Sequence, residues 1–224
     1  YVSFSGGKDS TVLLDLVRRV YPDAPAVFID TGLEYPEIRD FVKTIPNVTW
    51  LKPEMNFKQV IQTYGYPLIS KEVSEKIYSY RRNPNGYTAA RFDENSDYNK
   101  KYNNRFSMSK WKWLRDSDIP ISNQCCNVMK KLPAKKFEKE TGLRPMVATM
   151  ACESALRKTE WFKHGCNSFD GIRSQSKPMS FWTEQDVLEY LHRFDLSYAS
   201  VYGEIKQDEN GKYYYLTELA AKCT

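Results

Sequence analysis

The stretch VSFSGGKDST, residues 2–11, decides the fold class of this chain. Residues 1–5 predict a short strand, and from Lys8 onward apolar residues recur at helical spacing. Two glycines between a strand and a helix let the backbone turn sharply and bring its N–H groups close to a ligand. The first turn of the helix then presents unpaired N–H groups and a positive dipole end. The stretch therefore predicts a phosphate-binding loop.

The side chains of this loop suit the same role. Lys8 adds a positive charge, and the hydroxyl groups of Ser5, Ser10 and Thr11 add hydrogen-bond donors. The Gly-x4-Gly-Lys spacing of a Walker A loop is absent. The alternative is an ordinary Gly-Gly turn that is capped by Asp9 or Ser10 and binds nothing.

Strand and helix patterns alternate along the rest of the chain. Residues 25–30 and 48–51 predict strands, and residues 35–43 predict the helix between them. The apolar run PAVFID is typical of a parallel strand buried on both faces. Residues 144–150 predict a further buried strand, and Thr183 caps a late helix. We expect an α/β fold with a mostly parallel sheet flanked by helices, and a small C-terminal helical part.

Length and composition set further limits. The 224 residues suggest one domain over 1–224, in which the polar stretch 83–106 is an insertion or lid, and whose chain is truncated at both ends. No apolar run is long enough for a membrane span, so we expect no membrane partner. A net charge of +5 favours neither a small anion nor a nucleic acid. Five cysteines argue against a disulfide framework and for a reduced cytoplasmic protein.

Several motifs then resemble one superfamily. FSGGKDST resembles the signature of the PP-loop superfamily, which includes the ATP pyrophosphatases and the phosphoadenosine-phosphosulfate (PAPS) reductases. Residues 30–36 resemble its DTG-x-E-[FY]-P element, 153–157 its E-S-x-x-R element, and 182–191 its W-T-x-x-D-V-x-x-Y-[IL] helix. The resemblance implies an adenine nucleotide alpha hydrolase-like fold. The nucleotide-binding candidates are Ser5, Gly6, Gly7, Lys8, Asp9, Ser10, Asp30, Thr31, Gly32, Glu153, Ser154 and Arg157, with Arg173 and Lys177 as weaker ones.

The cysteine pair Cys125-Cys126 is the second informative feature. With residues 130–133 it resembles the C-C-x3-K-x2-P stretch of the iron–sulfur reductases that act on adenylyl sulfate (APS). That resemblance implies a [4Fe–4S] cluster held by four thiolates, two of them from a C-x-x-C pair near the C-terminus. This sequence has no C-x-x-C, and Cys223 is its only late cysteine, so we expect the second pair beyond Thr224. The alternative for the pair is two small residues packed at a helix start. We interpret Cys152 and Cys166 as buried, inert thiols, with a role as ligand as the alternative for either one.

For function, the resemblance implies reduction of APS or PAPS to sulfite. A cysteine thiolate attacks the sulfur, a thiosulfonate forms, and a thioredoxin-like reductant releases sulfite; the attacking cysteine is expected beyond Thr224. One alternative is an ATP pyrophosphatase that uses Mg²⁺ and activates tRNA or DNA for sulfur transfer. Another is a non-catalytic nucleotide-binding regulator.

Residues 78–113 interleave aromatic and basic side chains. Such platforms bind single-stranded nucleic acid, although they are equally consistent with a packed insertion. The members are Tyr80, Arg81, Arg82, Tyr87, Arg91, Lys100, Lys101, Tyr102, Arg105, Lys110, Trp111, Lys112 and Trp113.

Overall fold

The structure is a computed structural model that describes residues 1–168 and 174–216. The chain divides into two compact units, one formed by Tyr1–Lys52 with Ala134–Thr224 and the other by Pro53–Pro133. The single domain expected over residues 1–224 therefore stays a prediction. Among the described residues, no helix combines the length and the apolar character that crossing a membrane requires.

The first unit begins with three strands that alternate with two helices. They are β1 (Val2–Ser3), α1 (Lys8–Val20), β2 (Ala26–Ile29), α2 (Pro36–Thr44) and β3 (Val48–Leu51). Strand β2 lies between β1 and β3, and both pairings are parallel, with Val27 opposite Ser3 on one side and Thr49 on the other. The predicted α/β fold with a parallel sheet is confirmed.

The second unit is mainly helical in the described chain. Its helices are α3 (Phe57–Tyr64), α4 (Lys71–Arg82), α5 (Ala89–Phe92), α6 (Asp97–Lys101), α7 (Lys112–Arg115) and α8 (Gln124–Cys126), with a 3₁₀ turn at Ser109–Trp111 and a π-helical turn at Asn127–Lys131. Two apolar clusters hold them together. One contains Val73, Ile77, Phe92, Met108, Leu114 and Ile121, and the other contains Val60, Val128 and Met129.

The polar stretch 83–106 is more ordered than its composition indicates. It contains α5 and α6, and Phe92 is almost completely buried. The buried amide of Asn99 donates to three backbone carbonyls between residues 90 and 93. The buried guanidinium of Arg91 donates to the carbonyl of Phe106 at 2.8 Å. Buried polar groups thus organise a segment that lacks apolar periodicity, while its role as an insertion or lid stays a prediction.

The first unit continues with the later elements of the chain. They are α9 (Leu132–Thr141), α10 (Ala155–His164), β4 (Asn167–Ser168), β5 (Gln175–Ser176), α11 (Glu184–Arg193), β6 (Glu204–Gln207) and β7 (Tyr213–Leu216). The predicted late helix is α11, and Thr183 caps it by accepting from the N–H of Asp186. An antiparallel hairpin of β6 and β7 follows the helix, which the helical expectation for this part did not include.

The strand expected over residues 144–150 is reduced to a single bridging residue, and that expectation was wrong. Met146 pairs in parallel with Val2 on one side and with Ser176 on the other. The neighbouring strands β1 and β5 are only two residues long, so the ladder ends after Val147, whose N–H donates to Ser176. This run nevertheless extends the parallel sheet beyond β1.

The core of the first unit lies between this sheet and its helices. Its buried members are Val2, Phe4, Val12, Leu13, Leu14, Ala26, Phe28, Ile38, Phe41, Val42, Met150, Met179, Val187, Leu188, Leu191, Ala199 and Ile205. Residues of β1, β2, α1, α2 and α11 dominate this set, so the core fixes the strand ends from which the candidate loops leave.

Candidate functional site

Gly6 shapes the turn between β1 and α1. Its φ angle is 72°, in the left-handed region that favours glycine. A Cβ atom at this position would lie 2.7 Å from Cγ2 of Val42 and 2.8 Å from Cγ2 of Ile38, both on α2. Two carbon atoms prefer about 3.5–4.0 Å. The loop can therefore approach α2 only because residue 6 has no side chain.

Helix α1 begins directly after Gly7 and has no side-chain cap. Asp9 and Ser10 lie within the first helical turn, and Ser10 Oγ accepts from the N–H of Ser5 at 3.2 Å, so the alternative of an ordinary turn that binds nothing stays open. The first N–H groups of an uncapped helix have no acceptor within the helix. Together with the helix dipole they form a ready site for an anion.

The hydroxyl groups of the loop bond within the loop itself. Ser10 Oγ and Thr11 Oγ1 donate to the carbonyl of Gly7 at 2.9 and 3.0 Å. Ser5 Oγ accepts from the N–H of Gly7 at 3.3 Å and lies 3.1 Å from Ser10 Oγ. We expected these hydroxyls to serve as donors to a ligand, but those of Ser10 and Thr11 hold the backbone instead. The donors left for an anion are the main-chain N–H groups of the helix start.

Lys8 lies between two carboxylates. Its Nζ is 2.8 Å from Oδ1 of Asp9 and 3.6 Å from Oε1 of Glu184, and its side chain is 15% exposed. Burial by itself lowers the pKa of Lys8, but the hydrogen bond and charge of Asp9, with the charge of Glu184, raise it above its ordinary value overall. Lys8 is therefore protonated at neutral pH and offsets negative charge beside the loop.

The turn after β2 is held by its own side chains. The buried carboxylate of Asp30 accepts from Nη2 of Arg39 at 2.9 Å and from the N–H of Gly32 at 3.1 Å. Thr31 donates its hydroxyl to Glu34 at 2.6 Å, and Glu34 also accepts from the N–H of Thr31. Asp30 is thus a fixed and paired negative charge, and sequence reasoning did not identify its partner Arg39.

The E-S-x-x-R residues come together at the start of α10. Ser154 caps this helix by accepting from the N–H of Arg157 at 3.3 Å. Glu153 accepts from the N–H of Met150 at 2.8 Å and forms an ion pair with the Arg157 guanidinium. The three candidates are therefore one connected group, in which the carboxylate orients the arginine.

A cavity of about 350 Å³ lies beside this group. Arg157 and Lys177 line it together with Thr149, Gln175 and Trp161. Within the described part of the chain, the buried Thr149 Oγ1 has no hydrogen-bond partner. The lining also includes the carboxylate of Glu160 and the apolar side chains of Leu156 and Met150, so two cations, one carboxylate and an unpaired hydroxyl adjoin this space. Arg173 lies outside the described residues.

Three of these features follow neighbouring parallel strands. The phosphate loop follows β1, the Asp30 turn follows β2, and residues 149–153 follow the run that bridges β1 through Met146. Carboxyl ends of parallel strands meet at one edge of a sheet, where ligands bind in open α/β folds. The order of the strands therefore gathers the candidates at this edge.

A tyrosine group that sequence reasoning missed also adjoins the loop. The hydroxyl of Tyr202 lies 3.1 Å from the position that a Cβ of Gly7 would occupy, and its ring stacks on Tyr215 at 5.4 Å. Burial, and then the neighbouring Tyr202, Tyr198 and acidic groups, raise the pKa of Tyr215. No local pattern could reveal this group, because about 195 residues separate it from Gly7.

Cys125 and Cys126 end the short helix α8, directly before a π-helical turn. Both are partly buried, and Cys125 packs against the cluster that contains Val60 and Met129. A [4Fe–4S] cluster needs four thiolates. Among the described residues, His, Cys, Asp and Glu nowhere gather in a group of three or more that could hold a metal. The described chain thus supplies two adjacent thiols and does not complete a cluster site.

The other cysteines are separate from this pair in sequence. Cys152 is exposed and its Sγ donates to the carbonyl of Trp182 at 3.3 Å, so the expectation of a buried thiol was wrong there. Cys166 is partly buried, and all four described cysteines are free thiols. Cys223 lies outside the described residues.

The aromatic and basic residues of 78–113 occupy two kinds of environment. Arg81 donates to four backbone carbonyls between residues 114 and 119 at 2.6–2.9 Å, which is a structural role. Tyr80 and Trp111 pack against an apolar cluster, whereas Tyr87 and Trp113 are largely exposed.

Known proteins share this architecture. The chain is 26% identical over 207 residues to an adenosine 5'-phosphosulfate reductase of Staphylococcus haemolyticus. The aligned region covers 90% of this chain and 64% of that protein. It is 28% identical over 195 residues to the enzyme of the same name from Anoxybacillus flavithermus. That alignment covers 87% of this chain and 63% of the relative. The chain thus spans less than two thirds of the length of these relatives.

A crystal structure of a phosphoadenylyl-sulfate reductase from Candida auris, a phosphate complex, matches with a TM-score of 0.51 and 15% identity. The match covers 95% of this chain and 82% of that one, and it supports the fold alone. The family model of the phosphoadenosine phosphosulfate reductase domain matches residues 1–205. Because that match covers most of the sequence, the chain belongs to the phosphoadenosine phosphosulfate reductase domain family.

Proposed function

We propose that this chain binds an adenine sulfonucleotide, APS or PAPS, and that the intact protein reduces it to sulfite. The observation that carries the proposal is the uncapped start of α1 behind a glycine turn that admits no side chain. Main-chain N–H groups and the helix dipole offset phosphate charge at such a position. The names of the matched relatives support a sulfonucleotide over other adenine nucleotides.

Each candidate residue has a role in this proposal. The amides that follow Gly7 bind the phosphate, and Lys8 offsets its charge. Asp30, through its bonds to Arg39 and Gly32, fixes the backbone of the turn that follows β2. Arg157, oriented by Glu153, meets the sulfonyl or phosphate oxygens, because a guanidinium makes paired hydrogen bonds to such groups.

The proposed reaction consists of two attacks by thiolates on sulfur. A cysteine thiolate attacks the sulfur of the sulfonucleotide and forms an S–S bond, while the bond from sulfur to the phosphate oxygen breaks. The leaving group is AMP when APS is the substrate, and AMP that carries a 3′-phosphate when PAPS is the substrate. A thioredoxin-like dithiol then attacks the thiosulfonate, supplies two electrons, becomes a disulfide and releases sulfite. The attacking cysteine belongs to the intact protein and is assigned to none of the described residues. This chemistry needs reduced thiols, which fits a cytoplasmic setting.

The cluster is a separate part of the proposal. Cys125 and Cys126 would supply two of its four thiolates, and the described residues do not supply the others. Iron and sulfide assays on full-length protein purified without oxygen test this part. Equal iron in the wild type and in a Cys125→Ser, Cys126→Ser variant would remove the pair as ligands.

The nucleotide proposal is tested by calorimetric titration of APS, PAPS and ATP. We expect Lys8→Met to bind APS or PAPS more than tenfold more weakly, because Asp9 and Glu184 would then face the anion without a cation. Lys43→Met is the matched control, since Lys43 is exposed and, within the described residues, its one ion pair is with Asp40. Sulfite release with a dithiol should follow binding.

Two results would contradict this assignment. Tight ATP binding without APS or PAPS binding, with pyrophosphate released in the presence of Mg²⁺ and an acceptor, would favour the pyrophosphatase. Binding without any turnover by the intact protein would favour a regulator.

A further inference from the structure

The positive charge of the chain is concentrated in one unit. Pro53–Pro133 contains 14 Lys and Arg residues and 8 Asp and Glu residues, whereas the remainder contains 19 and 20. The surplus of basic residues therefore belongs to the second unit, and the unit that carries the phosphate loop is close to neutral. A net charge of this kind attracts an extended polyanion.

Part of this charge forms a continuous surface that we call the basic-aromatic strip, residues 98–106. Residues 100–106, KKYNNRF, are all exposed. The ring centroids of Tyr98 and Tyr102 are 5.0 Å apart, and those of Tyr102 and Phe106 are 5.5 Å apart. Three aromatic rings in a row thus lie beside the cations of the strip.

Two of the three cations of the strip lie against aromatic rings, and Asp97 begins the same helix α6 as Lys100 and Lys101. Lys101 Nζ lies 5.6 Å from the centre of the Tyr102 ring, and Arg105 Cζ lies 5.5 Å from that of Phe106. Within residues 1–168 and 174–216, no carboxylate forms an ion pair with Lys100, Lys101 or Arg105. Their charge is therefore available to an external anion.

Buried polar side chains fix the backbone of the strip. Asn99, fully buried, ties α6 to residues 90–93, and Arg91 holds the carbonyl of Phe106. Asn103 and Asn104 both have left-handed backbones, with φ of 48° and 58°. A buried polar frame thus presents the rings and cations in one arrangement, which lowers the ordering cost of binding.

We propose that the basic-aromatic strip binds a single-stranded polynucleotide. Phosphodiester groups match the unpaired cations, and unstacked bases match the rings, since each base has a face that stacks on an aromatic side chain. A duplex hides its base faces, and an acidic peptide has none to stack. The strip is therefore selective for single strands, independently of the sulfonucleotide site.

Fluorescence anisotropy with the full chain tests the proposal. The probes are 15-nucleotide single-stranded oligo(U) and oligo(dT), a duplex of the same length, and an oligoglutamate peptide of equal charge. We expect both single strands to bind more tightly than the duplex or the peptide. A difference between the affinities for oligo(U) and oligo(dT) identifies RNA or DNA as the preferred ligand.

Two variants and one control locate the contact. Tyr102→Ala should weaken binding about tenfold through lost stacking. The triple variant Lys100→Ala, Lys101→Ala, Arg105→Ala should lower the slope of log affinity against log salt by about 2. The triple variant Lys135→Ala, Lys139→Ala, Lys212→Ala removes three exposed cations outside the second unit and should change neither.

The proposal is overturned if single strands do not bind, if the duplex or the peptide binds as tightly, or if the control triple weakens binding as much as the strip triple does. APS or PAPS binding is measured in the same samples. Loss of nucleotide binding in a strip variant would mean that the substitution disturbed the fold. The affinity of the more conservative variant Tyr102→Leu for the single strands then decides whether the ring of Tyr102 contributes to binding.

Discussion

The two units of this molecule use their cations in different ways. In the first unit, Lys8 and Arg157 each pair with a carboxylate beside the candidate site. In the second unit, Arg81 and Arg91 bind backbone carbonyls, and Arg91 also pairs with Glu72. The lysines of the strip pair with none of the described acidic groups. The same residue types thus orient a site, support a fold or form an exposed charge, according to what surrounds them.

This difference shows that a count of basic residues does not identify an anion site. In our proposal the near-neutral unit has the more specific candidate site, because backbone amides at a helix start are fixed donors that need no net charge. The basic unit offers a wider and less specific attraction. The first site should therefore respond to backbone geometry, and the second to charge and salt.

The largest effect should come from closing the glycine turn. Gly6→Ala places a Cβ 2.7 Å from Val42 and in a left-handed backbone. We expect the free energy of unfolding to fall by about 3 kcal/mol, from about 1–2 for the backbone and about 1–3 for overpacking. Binding of APS or PAPS should be lost. Urea unfolding and calorimetric titration measure the two quantities.

Gly32→Ala is the matched control for this change. Gly32 also has a positive φ, 77°, but a Cβ there would meet nothing within 4 Å. Only the backbone cost of about 1–2 kcal/mol should remain. If both variants lose the same stability, contact with α2 does not constrain the loop, and the backbone argument for the first site fails.

A smaller effect should separate structural arginines from surface ones in the second unit. Arg81→Ala removes four hydrogen bonds to carbonyls and should lower the free energy of unfolding by about 2 kcal/mol. Arg82→Ala removes an exposed contact with Tyr78 and should stay within about 0.5 kcal/mol. Thermal unfolding of both variants distinguishes these outcomes, and equal stabilities would contradict the structural role of Arg81.

The sequence predicted those parts of the fold that depend on local patterns. The loop after β1 and the cap of α11 at Thr183 follow from short-range periodicity or capping chemistry. The turn after β2 was expected from the family resemblance. The strand expected at 144–150 shrank to a bridge because its length depends on neighbours that are distant in sequence. Pattern alone cannot supply that information.

The candidate site divides in the same way. The motif residues were found from the sequence, but their partners Arg39, Glu184 and Tyr202 were not, because those contacts join separate elements. The order within 83–106 was also missed. It depends on buried polar side chains, Arg91 and Asn99, that composition assigns to the surface.

The smallest predicted effect concerns the Tyr202 hydroxyl beside the phosphate loop. Among the described residues it has no hydrogen-bond partner, so it is able to donate to an anion bound at Gly7. Tyr202→Phe keeps the ring stacked on Tyr215 and should leave stability unchanged, while APS or PAPS affinity falls about fivefold, near 1 kcal/mol. Tyr214→Phe, at an exposed position of β7, is the control. Unchanged affinity in Tyr202→Phe would show that main-chain amides and Lys8 alone hold the phosphate.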